Sequence, residues 1–323
     1  MKRWKKIVLI AGLCLSFSGA ILLQIGYKAG GFQSMVDKNK GDFILQEEKL
    51  TSFNNLEADL DRLDISIKET DAKQAYLSYY NVKNQSPLKL TNRKGKLRLT
   101  ENKKVTSVYK NRIHLLSISD LILWLQQSFA DQPNPYQAVL YLPKGSELTS
   151  CSLSVNSGDL KLANLTVDNC SLEVKNGDLS ISGNSFKKSE VLVSNGDFKA
   201  ADCQFQNGTF IISNGDSRLN SVTMKNCSLE SGNGDVKINE AIVSDSKLHL
   251  NDGDLKAEEI SFKGINDISN QNGDSKFELS SYNVFVTAQS QNGDCSVSSQ
   301  ATADYKSDNR LTLFSVNGDL KVR

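Results

Sequence analysis

From Phe53 onward the chain alternates apolar and polar residues in short runs. They include Leu56-Glu-Ala-Asp-Leu60, Leu63-Asp-Ile65-Ser-Ile67 and Ala75-Tyr-Leu-Ser-Tyr-Tyr80, with shorter runs at 88–90 and 97–99. A period of two marks strands with one buried face. One helix interrupts them: Ser117 and Asp120 suit a capping box, and Leu121, Ile122, Leu125 and Phe129 form an apolar stripe before Pro133 and Pro135 forbid continuation. Tyr136–Leu142 reads as strand again.

Beyond that point the alternation becomes a repeat. A Gly-Asp pair recurs with its glycine at Gly158, Gly177, Gly196, Gly215, Gly234, Gly253, Gly273, Gly293 and Gly318, at spacings of 19 five times, then 20, 20 and 25. Asn precedes the glycine in all but two cases, where Ser157 and Asp252 stand. Aligned on the glycine, apolar residues fill fixed columns. Leu153, Leu172, Val191, Phe210, Leu229 and Leu248 lie five before it; Leu160, Leu179, Phe198, Val236 and Leu255 lie two after it. Val167, Phe186, Phe205, Met224, Val243 and Phe262 lie nine after it.

One such coil cannot bury its own apolar residues. Stacked at the ~4.8 Å strand spacing, coils share a continuous core and pair each other's backbones. Asn-Gly supplies the corner conformation. The pattern therefore predicts an all-β protein: a single-stack parallel β-solenoid of about 19-residue coils, three short strands each, over residues 146–323. Residues 53–145 form an N-terminal β cap region with one short helix. Because the chain stops inside the coil of Gly318, an open sheet edge is expected at Arg323, shielded by the insertion Ala301–Asn309 and by Lys321 and Arg323.

The N-terminus adds a different signal. Lys2, Arg3, Lys5 and Lys6 precede an uncharged run from Ile7 to Tyr27, long enough for a transmembrane helix. The positive-inside rule then makes 1–6 a cytoplasmic tail, 7–27 an anchor in the lipid bilayer, and 28–52 a stalk, with the solenoid extracytoplasmic. Cleavage near Ser16-Phe17-Ser18, as in a signal peptide, is the alternative.

Charge is balanced, 38 Lys+Arg against 37 Asp+Glu, which leaves no basic excess for a nucleic-acid partner. The column Asp159 to Asp319 invites comparison with a calcium ladder. However, Lys161, Lys199, Arg218, Lys237, Lys256, Lys276 and Lys321 lie two residues further on the same outer face, and alternating ion pairs explain the column without a metal. Cys151, Cys170 and Cys227 share one column; Cys203 and Cys295 also fall on inward parities, as small buried side chains. Only Cys151 and Cys170 lie in adjacent coils of one column, so the columns allow a single disulfide. No cofactor is expected. His249 stands alone on the outside, and the acids follow the repeat instead of clustering, so a polysaccharide-acting enzyme is the remote alternative.

The pattern Phe53-Asn-Asn-Leu-Glu-Ala-Asp-Leu60, then Tyr141-Leu-Pro-Lys-Gly145, then iterated Asn-Gly-Asp coils, resembles the bacterial "putative adhesin" β-strand-repeat family. That group includes the Lia cell-envelope stress proteins LiaG and LiaX of Gram-positive bacteria. The resemblance implies a location in the cell envelope and a role against membrane-active antimicrobials, and it brings no catalytic residues. The resulting expectation is a membrane-anchored, non-enzymatic interaction or envelope-stress protein, monomeric, with envelope proteins or surface ligands as partners. A surface adhesin for host or neighbouring-cell ligands is the alternative.

Overall fold

The computed structural model describes residues 43–110, 136–281, 283–299, 301–302 and 305–323. After each Asn-Gly-Asp corner a short strand begins, and these strands stack in parallel into one sheet: Leu160–Ala163, Leu179–Ser182, Phe198–Ala201, Ser217–Asn220 and Val236–Asn239 in succession. The strands that precede each corner stack likewise into a second sheet, from Glu147–Ser157 through Lys247–Asp252. Inward columns meet between the two sheets. Leu153, Leu172, Val191, Phe210 and Leu229 are each 1% exposed, and Phe205 packs edge-on against Phe210 with ring centres 4.9 Å apart.

The expected three strands per coil hold only between Phe198 and Asp252; from Leu255 the first two run together as Leu255–Lys263. In the earlier coils the second and third strands run together, as in Thr166–Asn176 and Ser185–Asn195. The difference lies in one column. Asn207, Asn226, Asp245 and Gly264 adopt φ of 51°, 53°, 49° and 64° and break the strand, whereas Asn169 and Lys188 stay extended. The residue that makes the spacing 20 enters just after Gly264. Register slips there, from Ser244 opposite Lys263 to Lys247 opposite Asp267, and Ile265 is pushed out to 62% exposure.

The sheets are not purely parallel. In the cap region Phe43–Lys49 pairs antiparallel with Tyr76–Val82, Tyr76–Val82 with Gln137–Pro143, and Leu88–Arg93 with Lys96–Glu101. The helix found is Lys103–Lys110, begun where the Asn102 carbonyl accepts the N–H groups of Val105 and Thr106. The helix expected around 117–129 lies outside the described residues. No helix among the described residues is long and apolar enough to cross a membrane. This corrects the expected fold class and the single-pass membrane location in that respect; residues 1–42, with the expected tail and the 7–27 span, lie outside the described residues.

Both ends of the stack depart from chain order. Asn55–Leu60 and Asp64–Thr70 form a coil that lies between the 96–143 strands on one side and the 147–163 strands on the other. At the opposite end Arg310–Asn317 pairs with Ile265–Asn272 on one edge and with Phe285–Asn292 on the other. Leu320–Val322 is likewise held between Ser275–Leu279 and Cys295–Val297. The coil that ends the sequence is therefore second to last in space, and the open edge belongs to residues 285–297. The expected edge at Arg323 is corrected accordingly. Each of these two coils is thereby paired on both edges.

Candidate interaction face

The glycine column shows why the corner tolerates nothing larger. Gly177 to Gly273 and Gly318 have φ between 130° and 150°, in the region that favours glycine. A Cβ at Gly196 would stand 1.9 Å from the Gly177 carbonyl oxygen, and at Gly318 it would stand 2.1 Å from that of Gly273. The order of stacking is Gly253, Gly273, Gly318, Gly293, so the structure brings all nine glycines into one column with the last two exchanged.

The aspartates beside them are committed to the backbone. Each up to Asp319 accepts, through Oδ1, the N–H of the aspartate one coil further along, and Asp294 ends the row as a donor. The bonds run from Asp64 and Asp159 at 2.9 Å, through Asp197 and Asp216 at 3.2 Å, to Asp319 and Asp294 at 2.9 Å. Ion pairing is a smaller part than the sequence suggested. Lys199 bridges Asp178 and Asp197, and Arg218 bridges Asp197 and Asp216, but Lys256 turns to Glu258 and Lys276 to Glu278. The preceding asparagines make a parallel ladder, with Asn195 donating from Nδ2 to Asn176 Oδ1 and Asn214 to Asn195 at 3.1 Å. Among the described residues no three His, Cys, Asp or Glu side chains converge as a metal site would require.

Cysteines at the inner corners act as small donors. The Cys203 thiol donates to the Ala201 carbonyl and Cys227 to that of Lys225, the place Ser246 fills with its hydroxyl toward Ser244. Burial pushes both thiols up from their ordinary pKa. Cys151 and Cys170 lie opposite each other as buried free thiols; the hydrogen bond between them, and then burial, hold Cys170 protonated. Cys295 contradicts the inward expectation. It sits on the end coil, with no strand of the described residues stacked above it, and it is exposed. The two ring nitrogens of His249 engage Ser269 Oγ at 2.7 Å and Asn251 Oδ1 at 3.0 Å on the outside.

A group that the repeat could not reveal closes the first corner. Arg62-Leu63-Asp64 stands where later coils carry Asn-Gly-Asp, with Leu63 in the place of the glycine. The N–H groups of Asp61, Arg62 and Leu63 converge on Glu101 Oε2 at 2.8, 2.7 and 3.1 Å, and the Thr106 hydroxyl donates to Oε1. A carboxylate between strand and helix thus replaces the turn chemistry of the missing glycine.

The outer faces of the two sheets differ. The post-corner sheet carries the Asp and Lys columns. The pre-corner sheet carries an outward column that runs Ser152, Ser171, Glu190, Thr209, Ser228 and Lys247, and its next outward column sets Leu192, Ile211 and Phe314 among Ser154, Glu173, Glu230, His249 and Ser269. Ile211 is 37% and Phe314 38% exposed. Part-exposed apolar groups among hydroxyls and scattered charges thus set this face apart from the regular Asp and Lys columns of the other.

A family model described as Toastrack DUF4097 matches residues 53–323. No curated protein matches the sequence. Among solved structures, the chain is similar to a "putative adhesin" from Bacteroides fragilis, at 12% identity and TM-score 0.39, covering 87% of this chain and 97% of that one. It is also similar to a "putative lipid binding protein" from Parabacteroides distasonis, at 12% identity and TM-score 0.37 over 88% and 98%. A "putative cell adhesion protein" from Clostridium sporogenes matches at 9% identity and TM-score 0.19 over 87% and 97%.

Proposed function

Since the chain belongs to the Toastrack DUF4097 family, we propose that it works as a non-enzymatic interaction protein, a stack of coils that presents the outer face of its pre-corner sheet to a protein or surface partner. The observation that carries this reading is the part-exposed Ile211 and Phe314, with Leu192 beside Ile211, on the sheet that lacks the Asp and Lys columns. The repeated carboxylates from Asp159 to Asp319 along the stack each hold one backbone N–H of the next coil.

Beads coated with the chain should be retained on whole bacterial cells or on extracellular-matrix protein. Ile211→Asp with Phe314→Asp should lower that retention at least about tenfold, the effect of losing about 1.4 kcal/mol, without changing Tm. Retention no better than that of bare beads on every surface would sink the reading, and turnover of cell-wall saccharide by the purified chain would replace it. The narrower role implied by the Lia resemblance, envelope stress response, belongs to the same proposal. It expects a deletion strain to be hypersensitive to membrane-active peptides.

A further inference from the structure

The inverted order of the last two coils leaves a slot inside the stack. One wall is Ile265–Asn272 with Ser275–Leu279, and the other is Phe285–Asn292 with Cys295–Val297. Residues 310–323 fill it. Asn309 fastens the entrance: its Oδ1 accepts the Gly264 N–H, its backbone carbonyl accepts that of Phe285, and its Nδ2 donates to the Asn283 carbonyl.

Three features bear on what this slot accepts. First, its walls share one register. Asn272, Asn317 and Asn292 are partners across the three coils, and both ladders run through the filler, with Asp319 N–H on Asp274 and Asp294 N–H on Asp319. The spacing from Gly273 to Gly293 is 20, as it is from Gly253 to Gly273, so the walls can also stack on each other in plain chain order. Second, the filler supplies much of the apolar core at this end. One wall offers Ile268, Asn270, Ser275, Phe277 and Leu279, and the other Val286, Ala288, Ser290 and Val297. The filler brings Leu311, Leu313, Leu320 and Val322, all at most 2% exposed, between them. Third, the outer strand Phe285–Asn292 carries no charge. At the other end Phe43–Lys49 has Glu47, Glu48 and Lys49, and Leu88–Arg93 has Lys89 and Arg93 behind Pro87. Charges and proline guard edges against pairing; this edge has neither, and at Val286 its N–H donates to Thr302 Oγ1 instead.

From the shared register, the apolar share of the core that the filler supplies and the inverted coil order, we propose that residues 310–323 are an exchangeable donor coil, and that a second copy of this chain is the partner: each copy inserts its 310–323 segment into the other's slot. Every bond that the segment makes at home is available to it in the partner, because both ladders and both strand pairings involve only slot walls and filler. The walls can close meanwhile by stacking in chain order, which lowers the barrier to release. Donor-strand exchange of this kind uses main-chain pairing for affinity and inward side chains for selection.

The test uses full chains carrying Cys14→Ser and Cys295→Ser. A chain with Thr312→Cys is mixed with one carrying Asp267→Cys, and separately with one carrying Thr287→Cys. Each mixture is refolded together and oxidised, and covalent dimers are read on a non-reducing gel. Thr312 faces Asp267 on one side and Thr287 on the other. Exchange of 310–323 alone predicts interchain disulfides in both mixtures, increasing with protein concentration. Monomers in both mixtures would overturn the proposal. Dimers with Asp267→Cys alone would overturn it too, since they mean that both end coils swap as a unit. Should a variant fail to fold, light scattering on the unmodified chain refolded over a concentration series decides, and mass that stays monomeric throughout overturns the proposal.

Discussion

Asp319 donates its backbone N–H to Oδ1 of Asp274 at 2.9 Å, across 45 residues of chain. In every earlier step of the same ladder from Asp159 onward the donor lies 19 or 20 residues from the acceptor. The ladder thus passes over Asp294 and returns to it afterwards, with Asp294 donating to Asp319. Spatial order, not chain order, governs the bonding, and the side chain that carries it is the aspartate and not the lysine beside it.

Asp216 separates these two contributions. It pairs with Arg218 at 3.0 Å and accepts the Asp235 N–H at 3.1 Å. Asp216→Asn removes the charge and keeps the acceptor, while Asp216→Ala removes both. Urea unfolding should show Ala costing about 1–2 kcal/mol and Asn less than half of that. Equal losses would mean that the ion pair matters and the ladder bond does not.

Glu101 predicts a larger effect from a residue outside the repeat. Glu101→Ala leaves the N–H groups of residues 61–63 without their acceptor and should cost about 3 kcal/mol or more. Glu101→Gln keeps an amide oxygen for them and should lose roughly half as much. A loss under about 0.5 kcal/mol for the alanine variant would show that water replaces the carboxylate there.

Two glycines give a matched pair. Gly196→Ala places a methyl 1.9 Å from the Gly177 oxygen and should destabilise by about 3 kcal/mol or more. Gly145 has φ of 72° and open space around its missing Cβ, so Gly145→Ala should cost only about 1 kcal/mol of backbone strain. Similar midpoints for the two variants in thermal melts would contradict the close approach of successive corners.

Burial raises the pKa of Asp64, against the smaller opposing effect of its bond from the Asp159 N–H. A carboxyl raised in the folded state gives stability that is complete below its unfolded value and lost as pH rises through the folded one. Asp64→Asn keeps an oxygen for Asp159 and should therefore be more stable than the parent at pH 7. The gain should vanish below about pH 3.9, where the parent is protonated in both states. A gain of the same size at both pH values would assign it to something other than titration.

Most of the stack was legible in the sequence because a strict period of 19 forces inward columns to coincide, and the Leu153, Phe205 and Leu250 positions are buried accordingly. Corners at Asn207, Asn226 and Asp245 carried a visible signal in their residue types, but Ser221, Glu240 and Glu259 hold φ of 52°, 52° and 53° without one. Stacking order was not legible. Spacing fixes which residues align and says nothing about which coil lies next to which, so Cys295 was placed inside a column that ends one coil sooner. Glu101 was hidden for another reason: it completes a corner in a coil that its own strand does not follow in sequence.

The account rests most heavily on that order at the end of the stack, and one measurement reads it directly. Full chains with Cys14→Ser and Cys295→Ser receive either Asp267→Cys with Thr312→Cys, or Asp267→Cys with Thr287→Cys, and the monomeric fraction is oxidised under native conditions. Asp267 and Thr312 are register partners on adjacent strands, whereas Thr287 lies a strand further, roughly 10 Å from Asp267. The account predicts an intramolecular disulfide in the first variant and free thiols in the second. A disulfide in the second variant and none in the first would show that the coils stack in chain order, and would contradict it.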